Sequence, residues 1–137
     1  MKHTLTTAAA VLCCLLCAAA DTWTSYFKTP QLEIQYRYAD CHDNANGIHQ
    51  QKVLLRFINL TGKNAEVSFT KSLEFNNGKQ NNAEGKTYTV LLSAGETKEA
   101  ACEEHSPALY IFSKQLNFKS TALEKFELKN ISVKEVQ

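Results

Sequence analysis

Residues 53–59 are apolar at nearly every position, whereas most of the chain around them alternates between apolar and polar residues. In an extended chain, Val53, Leu55 and Phe57 lie on one face, while Leu54 lies on the other. A strand that is apolar on both faces is typical of the interior of a sheet rather than its edge. The pattern therefore predicts a central strand, with the remaining strands arranged around it.

Most other segments alternate with a period of two, as half-buried antiparallel strands do. With the central strand extended to 50–60, the predicted strands lie within 21–30, 32–38, 65–75 (one long strand or two short ones), 87–92, 97–102, 109–113 and 126–133. The parity of the apolar positions changes between Leu128 and Ile131, which predicts a β-bulge at residues 129–130 or burial of both faces. A single helical turn is predicted at 120–124.

Three segments rich in Asp, Asn, Glu or Gly predict exposed loops between the strands. They are residues 40–49, 76–85 and 103–107. Loops at the ends of a β-sandwich can vary without disturbing its core, so these three loops are the predicted contact surfaces.

About seven or eight short strands in a chain of this length favour an all-β fold, a single antiparallel two-sheet sandwich, with a small closed β-barrel as the alternative. In the number and spacing of its strands, the chain resembles secreted immunoglobulin-like β-sandwich domains. It departs from the antibody pattern because its one tryptophan, Trp23, precedes both Cys41 and Cys102. We expect Trp23 and the aromatic residues beside it to pack against one end of the core.

Residues 1–20 have the pattern of a secretory signal peptide, with a weakly basic start, an uncharged apolar run and small residues at 18–20. The apolar run is shorter than the roughly 20 residues needed to span a bilayer. A lipid anchor at Cys17 is less favoured, because leucines precede it where lipoprotein signals carry small residues. We therefore predict a signal peptide at 1–20, one domain at 21–137 and export to the periplasm or the extracellular space.

The chain has 15 basic and 14 acidic residues, of which only Lys2 lies in the predicted signal peptide. The exported part is therefore formally neutral, and its charge gives no indication of binding to nucleic acid or to anionic lipid. The remaining residues, about 117, are enough for one core and too few for two.

Three of the five cysteines lie in the predicted signal peptide, which leaves Cys41 and Cys102. Two cysteines in an exported domain most simply form one disulfide. Closing a loop of about 60 residues would stabilise the fold by roughly 4 kcal/mol in the chain-entropy model. Because each cysteine stands at a predicted strand end, the bond would tie strand ends together and make the 40–49 and 103–107 loops neighbours.

A metal-binding or redox protein is the alternative function, because five potential ligands stand in the same two loops. They are Cys41, His42, His49, Cys102 and His105. Two thiolates and two imidazoles would suit zinc if the cysteines were reduced. The run 102–105 is similar to the Cys-x-x-His run of cupredoxins, but the one methionine, Met1, lies in the predicted signal peptide and leaves no axial ligand. In an oxidising compartment we expect the disulfide instead, with no metal and no other cofactor.

No catalytic residue is predicted, because the sequence lacks a nucleophile elbow, a His-Glu-x-x-His motif and a glycine-rich phosphate-binding loop. The run 43–47 also fails as a calcium loop, since His42 and Val53 stand where the first and last carboxylates belong. Two glycosylation sequons begin at Asn59 and Asn130, and we expect Asn59 to be the more exposed of the two.

The leading functional hypothesis is an exported non-catalytic module that binds a protein or a glycan through its surface, or forms part of an envelope assembly. Fold class alone does not supply function, so the hypothesis depends on the export signal, the disulfide and the lack of recognised catalytic motifs. The predicted binding residues lie on the loops: His42, Asp43, Asn44, Asn46, His49 and His105.

Overall fold

The computed structural model describes residues 22–82 and 86–137, with residues 80–82 described at the level of the backbone. The predicted signal peptide and the last residues of the predicted 76–85 loop lie outside these residues. The described residues form nine strands and no helix: β1 Thr24–Lys28, β2 Leu32–Asp43, β3 Ile48–Asn59, β4 Ala65–Phe75, β5 Gln80–Asn82, β6 Tyr88–Leu92, β7 Thr97–Glu99, β8 Tyr110–Gln115 and β9 Leu123–Glu135. The short strand β5 lies within the segment predicted to be a loop.

The strands form two antiparallel sheets, A and B. In sheet A, β3 pairs with β2 along one edge and with both β7 and β8 along the other, while β1 pairs with β2. In sheet B, β4 pairs with β9 along one edge and with β5 and β6 along the other. Two separate sheets confirm the predicted sandwich and exclude the closed barrel.

The main core lies between the two sheets and is centred on β3. Val53, Leu55 and Phe57 are all fully buried, as their apolar pattern predicts. Across the core, Phe57 stacks on Phe69 of β4 with ring centroids 5.6 Å apart. Because burying each such side chain contributes about 1.5–3 kcal/mol, this strand is a principal source of the stability of the fold.

The aromatic residues of β1 join the two sheets at one edge of the core. The Tyr26 ring stacks on Phe126 of β9, with centroids 5.8 Å apart. The Tyr26 hydroxyl also accepts a hydrogen bond of 2.9 Å from the Leu128 N–H. The N-terminal segment is therefore ordered by packing and by a polar contact between the sheets.

The predicted 40–49 loop is mostly strand, which corrects the sequence-based expectation. β2 continues to Asp43 and β3 already begins at Ile48, so only residues 44–47 form the turn. Gly47 has a φ of 64°, a left-handed conformation that glycine adopts without steric cost. Pairing along the whole length of β2 and β3 outweighs the weak strand propensity of Asp, Asn and His.

The segment between β8 and β9 contains no helix, so the predicted helical turn at 120–124 is wrong. β9 already begins at Leu123, which pairs with Phe75 of β4. Just before it, the Ala122 N–H donates a hydrogen bond of 3.1 Å to the Asn76 side chain. Strand pairing and this polar contact hold the segment extended, against the local preference for a turn of helix.

A β-bulge interrupts β9 where the apolar parity changes, as predicted. The pairing register between β4 and β9 shifts between Ser68 and Thr70. Opposite this shift, Asn130 has a φ of 54°, a conformation that asparagine tolerates better than most residues. The extra residue moves the apolar side chains beyond it back toward the core.

Of the two sequon asparagines, Asn130 is the more exposed, whereas the sequence predicted that Asn59 would be. Asn59 is only 3% exposed, and its Nδ2 donates to the Lys63 and Ser93 carbonyls at 2.7 and 2.9 Å. Asn130, at the bulge, is exposed. The expectation for Asn59 is wrong because its amide organises two turns where β3 ends.

Candidate functional site

Cys41 and Cys102 form the predicted disulfide, which joins β2 to the loop after β7. The Cα atoms of Cys41 and Cys102 are 5.3 Å apart, and their sulfur atoms are 2.04 Å apart. Because side chains alternate along a strand, Cys41 faces away from the core side, to which Leu32 and Ile34 point. The bond therefore lies on the outer face of sheet A, near the end of β2, and does not cross the core.

Residues 100–109, here called the 100–109 loop, leave and rejoin the edge of β3 at a single residue. The Ala100 N–H donates to the Leu55 carbonyl at 3.0 Å, and the Leu55 N–H donates to the Leu109 carbonyl at 2.9 Å. Between these points the loop extends over β3, since the disulfide joins it to β2. Leu54, on this outer face of β3, is fully buried. The loop thus accounts for the apolar character of the central strand on its second face.

A groove of about 610 Å³ opens between the 100–109 loop and the tip of the β2–β3 hairpin. Six of the residues singled out from the sequence line it: Cys41, His42, Asp43, Asn44, Cys102 and His105. The first and third predicted contact segments are therefore neighbours, as the expected disulfide required.

The groove carries more negative than positive groups. Three carboxylates and one ammonium line it: Asp43, Glu103, Glu104 and Lys52. The Lys52 ammonium donates a hydrogen bond of 3.0 Å to the Cys102 carbonyl and lies 4.7 Å from the centroid of the Tyr110 ring. Because this cation is engaged in holding the loop, the groove presents mainly hydrogen-bond acceptors and negative charge.

Asp43 and Asn46 hold the hairpin turn through their side chains. The Asp43 carboxylate accepts hydrogen bonds from the Asn46 Nδ2 at 2.7 Å and from the Asn46 N–H at 3.3 Å. The side-chain bond from Asn46 is the main cause that lowers the pKa of Asp43. Asn46 therefore acts in the turn, while Asn44 is exposed at the border of the groove.

Two of the three candidate histidines meet across the hairpin. His42 and His49 are register partners, and their Nδ1 atoms are 2.8 Å apart. Because neighbouring residues of a strand point to opposite faces, the His42 side chain lies on the face of β2 opposite Cys41. His105 stays in the 100–109 loop at the groove.

The five proposed metal ligands therefore do not converge on one point. Both sulfurs are used in the disulfide, and among the described residues no group of three or more His, Cys, Asp or Glu side chains is placed to hold a metal ion. The arrangement leaves the imidazole pair on one face of the hairpin and the disulfide with most of the polar groove on the other, and residue His42 also borders the groove.

Five groove residues were not named as candidates from the sequence. Two of them, Glu103 and Glu104, lie in the predicted 103–107 loop, and the other three, Ile48, Gln50 and Lys52, lie on β3. These three alternate along β3, and Gln50 pairs directly with Cys41. A predicted hairpin that extended to Asp43 would have placed these side chains beside the disulfide. The pairing register of β2 and β3 would have predicted these groove residues, but the loop-like composition of residues 40–49 gave no indication that the strands pair so far.

Trp23 forms a second feature on the outer face of sheet A. The centroid of its ring lies 5.1 Å from the guanidinium carbon of Arg37 and 5.0 Å from that of Arg56. It also packs against the buried cluster. Each cation–π contact of this kind contributes about 0.5–1 kcal/mol, so the contacts help to fix the N-terminal segment on the sheet.

Neither a protein-family model, nor a curated protein, nor a solved structure matches this chain. Residues 22–82 and 86–137 contain no helix that is long and apolar enough to cross a membrane. The disulfide is compatible with an exported protein, since such bonds persist in oxidising compartments. The functional argument therefore proceeds from the groove and its chemistry.

Proposed function

We propose that this protein is an exported, non-catalytic module that binds a protein or a glycan through the groove between the hairpin tip and the 100–109 loop. The disulfide carries the proposal, because it joins the two walls of the groove across the intervening strand β3. A surface that is ordered before binding loses less conformational entropy when a partner docks.

The side chains of the groove suit a polar partner with some apolar surface. Glu103 supplies a carboxylate, and the amides of Asn44 and Gln50 supply both donors and acceptors. Ile48 adds an apolar contact, since its side chain is 44% exposed at the same place. Sugar hydroxyls or the cationic side chains of a protein segment would find partners here.

The non-catalytic part of the proposal is supported by the sequence, which lacks a nucleophile elbow, a His-Glu-x-x-His motif and a glycine-rich phosphate-binding loop. Both described cysteines are joined and present no thiolate. The metal-binding or redox alternative would gain support from two free thiols and bound zinc or copper in the purified native protein.

The test is a binding screen of the 21–137 chain against a glycan array and against exported proteins from the cells that make it. The double variant Asn44→Ala with Glu103→Ala should lower the affinity for a bound partner by roughly tenfold or more, because both side chains line the groove. The matched control is Glu124→Ala, an exposed carboxylate on β9 of sheet B, which should leave the affinity unchanged. Binding that ignores the groove variant, or substrate turnover abolished by one His or Asp substitution, would overturn the proposal.

A further inference from the structure

The His42–His49 pair is set by the register of the hairpin. The two residues stand directly opposite each other on β2 and β3, with ring centroids 5.1 Å apart. Directly opposed side chains in an antiparallel pair start from Cβ atoms only about 4.5–5.5 Å apart, so the backbone itself brings the rings together. His42 is exposed and His49 is half-buried, so the site is open to solvent.

The contact between the rings can hold only one proton. A neutral imidazole carries one N–H and one lone pair, so at 2.8 Å one Nδ1 donates and the other accepts. If that proton moves to Nε2 of its own ring, both rings remain neutral and both Nδ1 lone pairs become available at the same place. This tautomer is the form in which two imidazoles bind one metal ion.

We propose that His42 and His49 together chelate a first-row divalent cation, Cu²⁺ in preference to the others, through their facing Nδ1 atoms. Two nitrogens bound about 2.0 Å from a metal and 90° apart lie about 2.8 Å from each other, which is the separation already present. Chelation requires both rings to rotate, so that the two lone pairs turn from the line between the nitrogens toward a shared ion.

The geometry favours copper over zinc. Tetrahedral zinc would spread the same two nitrogens to about 3.3 Å, whereas adjacent positions of a square-planar Cu²⁺ ion need no spreading. Nitrogen ligands also bind Cu²⁺ more tightly than the other divalent ions of the first row. The remaining coordination positions fall to water, since the described residues provide no third ligand group.

The charge around the pair is favourable for a cation. Asp40 lies two residues before His42 on the same face of β2, and its carboxylate accepts a hydrogen bond of 3.2 Å from Gln51. A carboxylate beside the two imidazoles attracts a divalent cation and repels anions. The imidazole pair lies on the face of the hairpin opposite Cys41, but residue His42 also borders the groove, so the two proposals are separated by variants that leave both imidazoles in place.

The experiment is a titration of the untagged 21–137 chain with CuSO₄ in a non-coordinating buffer near pH 7.5, followed by calorimetry and electron paramagnetic resonance. We expect one Cu²⁺ per chain, with a spectrum that reports two imidazole nitrogens. His42→Ala and His49→Ala should each weaken binding by roughly tenfold or more, because one imidazole cannot chelate. His105→Ala is the matched control and should bind as the wild type does.

The double variant H42A/H49A measures background binding by the N-terminal amine and carboxylates. Equal Cu²⁺ affinity in the wild type and the double variant would overturn the proposal, as would an equal loss in the His105→Ala control. Circular dichroism of each variant checks that the hairpin is folded, and the pair His42→Gln and His49→Gln keeps polar side chains at both positions if alanine disturbs it. The groove variants Asn44→Ala and Glu103→Ala leave both imidazoles in place. The outcome of the Cu²⁺ titration is therefore independent of the outcome of the partner-binding test.

Discussion

Lys71 lies between the two sheets with its ammonium group held by backbone carbonyls. Its residue is 8% exposed, and its Nζ donates to the Tyr110 carbonyl at 3.0 Å and to the Pro107 carbonyl. The same group lies 4.3 Å from the centroid of the Tyr88 ring. Burial, with a smaller contribution from Lys86, lowers the pKa of Lys71 from 10.5 to about 8. A charge at this position costs free energy that its neutral partners offset only in part.

Stability should therefore depend on pH through Lys71. Below about pH 8 the side chain is charged in both the folded and the unfolded chain, and the folded state bears the cost of burying that charge. Between pH 8 and 10.5 the folded state loses its proton first, so the free energy of unfolding rises with pH, by up to about 3 kcal/mol. Denaturation by urea at pH 7.5 and at pH 10 measures this rise.

The variant Lys71→Met isolates the contribution, because it removes the titrating group and keeps the apolar stem. As the pH is raised from 7.5 to 10, the unfolding free energy of the wild type should rise relative to that of Lys71→Met. Lys79→Met, at an exposed position in the β4–β5 turn, is the matched control and should follow the wild type. Parallel pH curves for the wild type and Lys71→Met would refute this account.

Asn59 is the second residue whose side chain organises its surroundings. Besides donating to two carbonyls, its Oδ1 accepts hydrogen bonds from the N–H of Thr61 at 3.0 Å and from the hydroxyl of Thr61 at 2.8 Å. Asn59→Ala removes four hydrogen bonds at a buried side chain, so the unfolding free energy should fall by about 2 kcal/mol or more. Asn130→Gly should cost less, since glycine keeps the positive φ and loses only one exposed side-chain hydrogen bond. Equal losses in the two variants would contradict the role given to Asn59.

At the scale of elements, the β2–β3 hairpin and the 100–109 loop depend on each other. The loop lies over the outer face of β3, and the disulfide and the Lys52 hydrogen bond hold its near end. The far end returns to β3 at Leu109, which is buried with the core. Residues 103–106 between these points have neither strand pairing nor a helix. The disulfide should therefore control the order of the loop as well as the stability of the fold.

The variant Cys41→Ala with Cys102→Ala tests both effects. The chain-entropy model gives a loss of about 4 kcal/mol in unfolding free energy, since a loop of 61 residues is no longer closed. Amide hydrogens of residues 101–106 should exchange with solvent faster than in the wild type, while those of β4 and β9 keep most of their relative protection. A reductant should change the wild type in the same direction and leave the variant unaffected. An unchanged stability would show that the bond is not formed in solution.

The same elements show what the sequence could and could not predict. The central strand was predictable because Val53, Leu55 and Phe57 alternate with the equally buried Leu54. The bulge at Asn130 was predictable because the apolar parity changes there. The end of the hairpin was not predictable from composition, since strand pairing fixes polar residues such as His42 as firmly as apolar ones. The histidine pair and the groove residues of β3 follow only from that pairing register.

At the scale of the whole molecule, chemistry-bearing residues gather on one extended hairpin rather than in the core. The core between the sheets is apolar except at a few positions such as Lys71 and Asn59. One face of the hairpin borders the groove around Cys41, and the other carries the His42–His49 pair. A formally neutral segment 21–137 and a polar groove whose walls are joined by the disulfide are in keeping with the proposed binding of one partner by contact.

The central claim is that the chain is exported and that its two remaining cysteines tie the 100–109 loop to β2. The direct measurement is mass spectrometry of the protein isolated, without reductant, from the cells that make it. We predict a chain that begins at Asp21 and a proteolytic fragment in which Cys41 is linked to Cys102. A chain that keeps residues 1–20 and yields two free thiols at Cys41 and Cys102 would contradict the account.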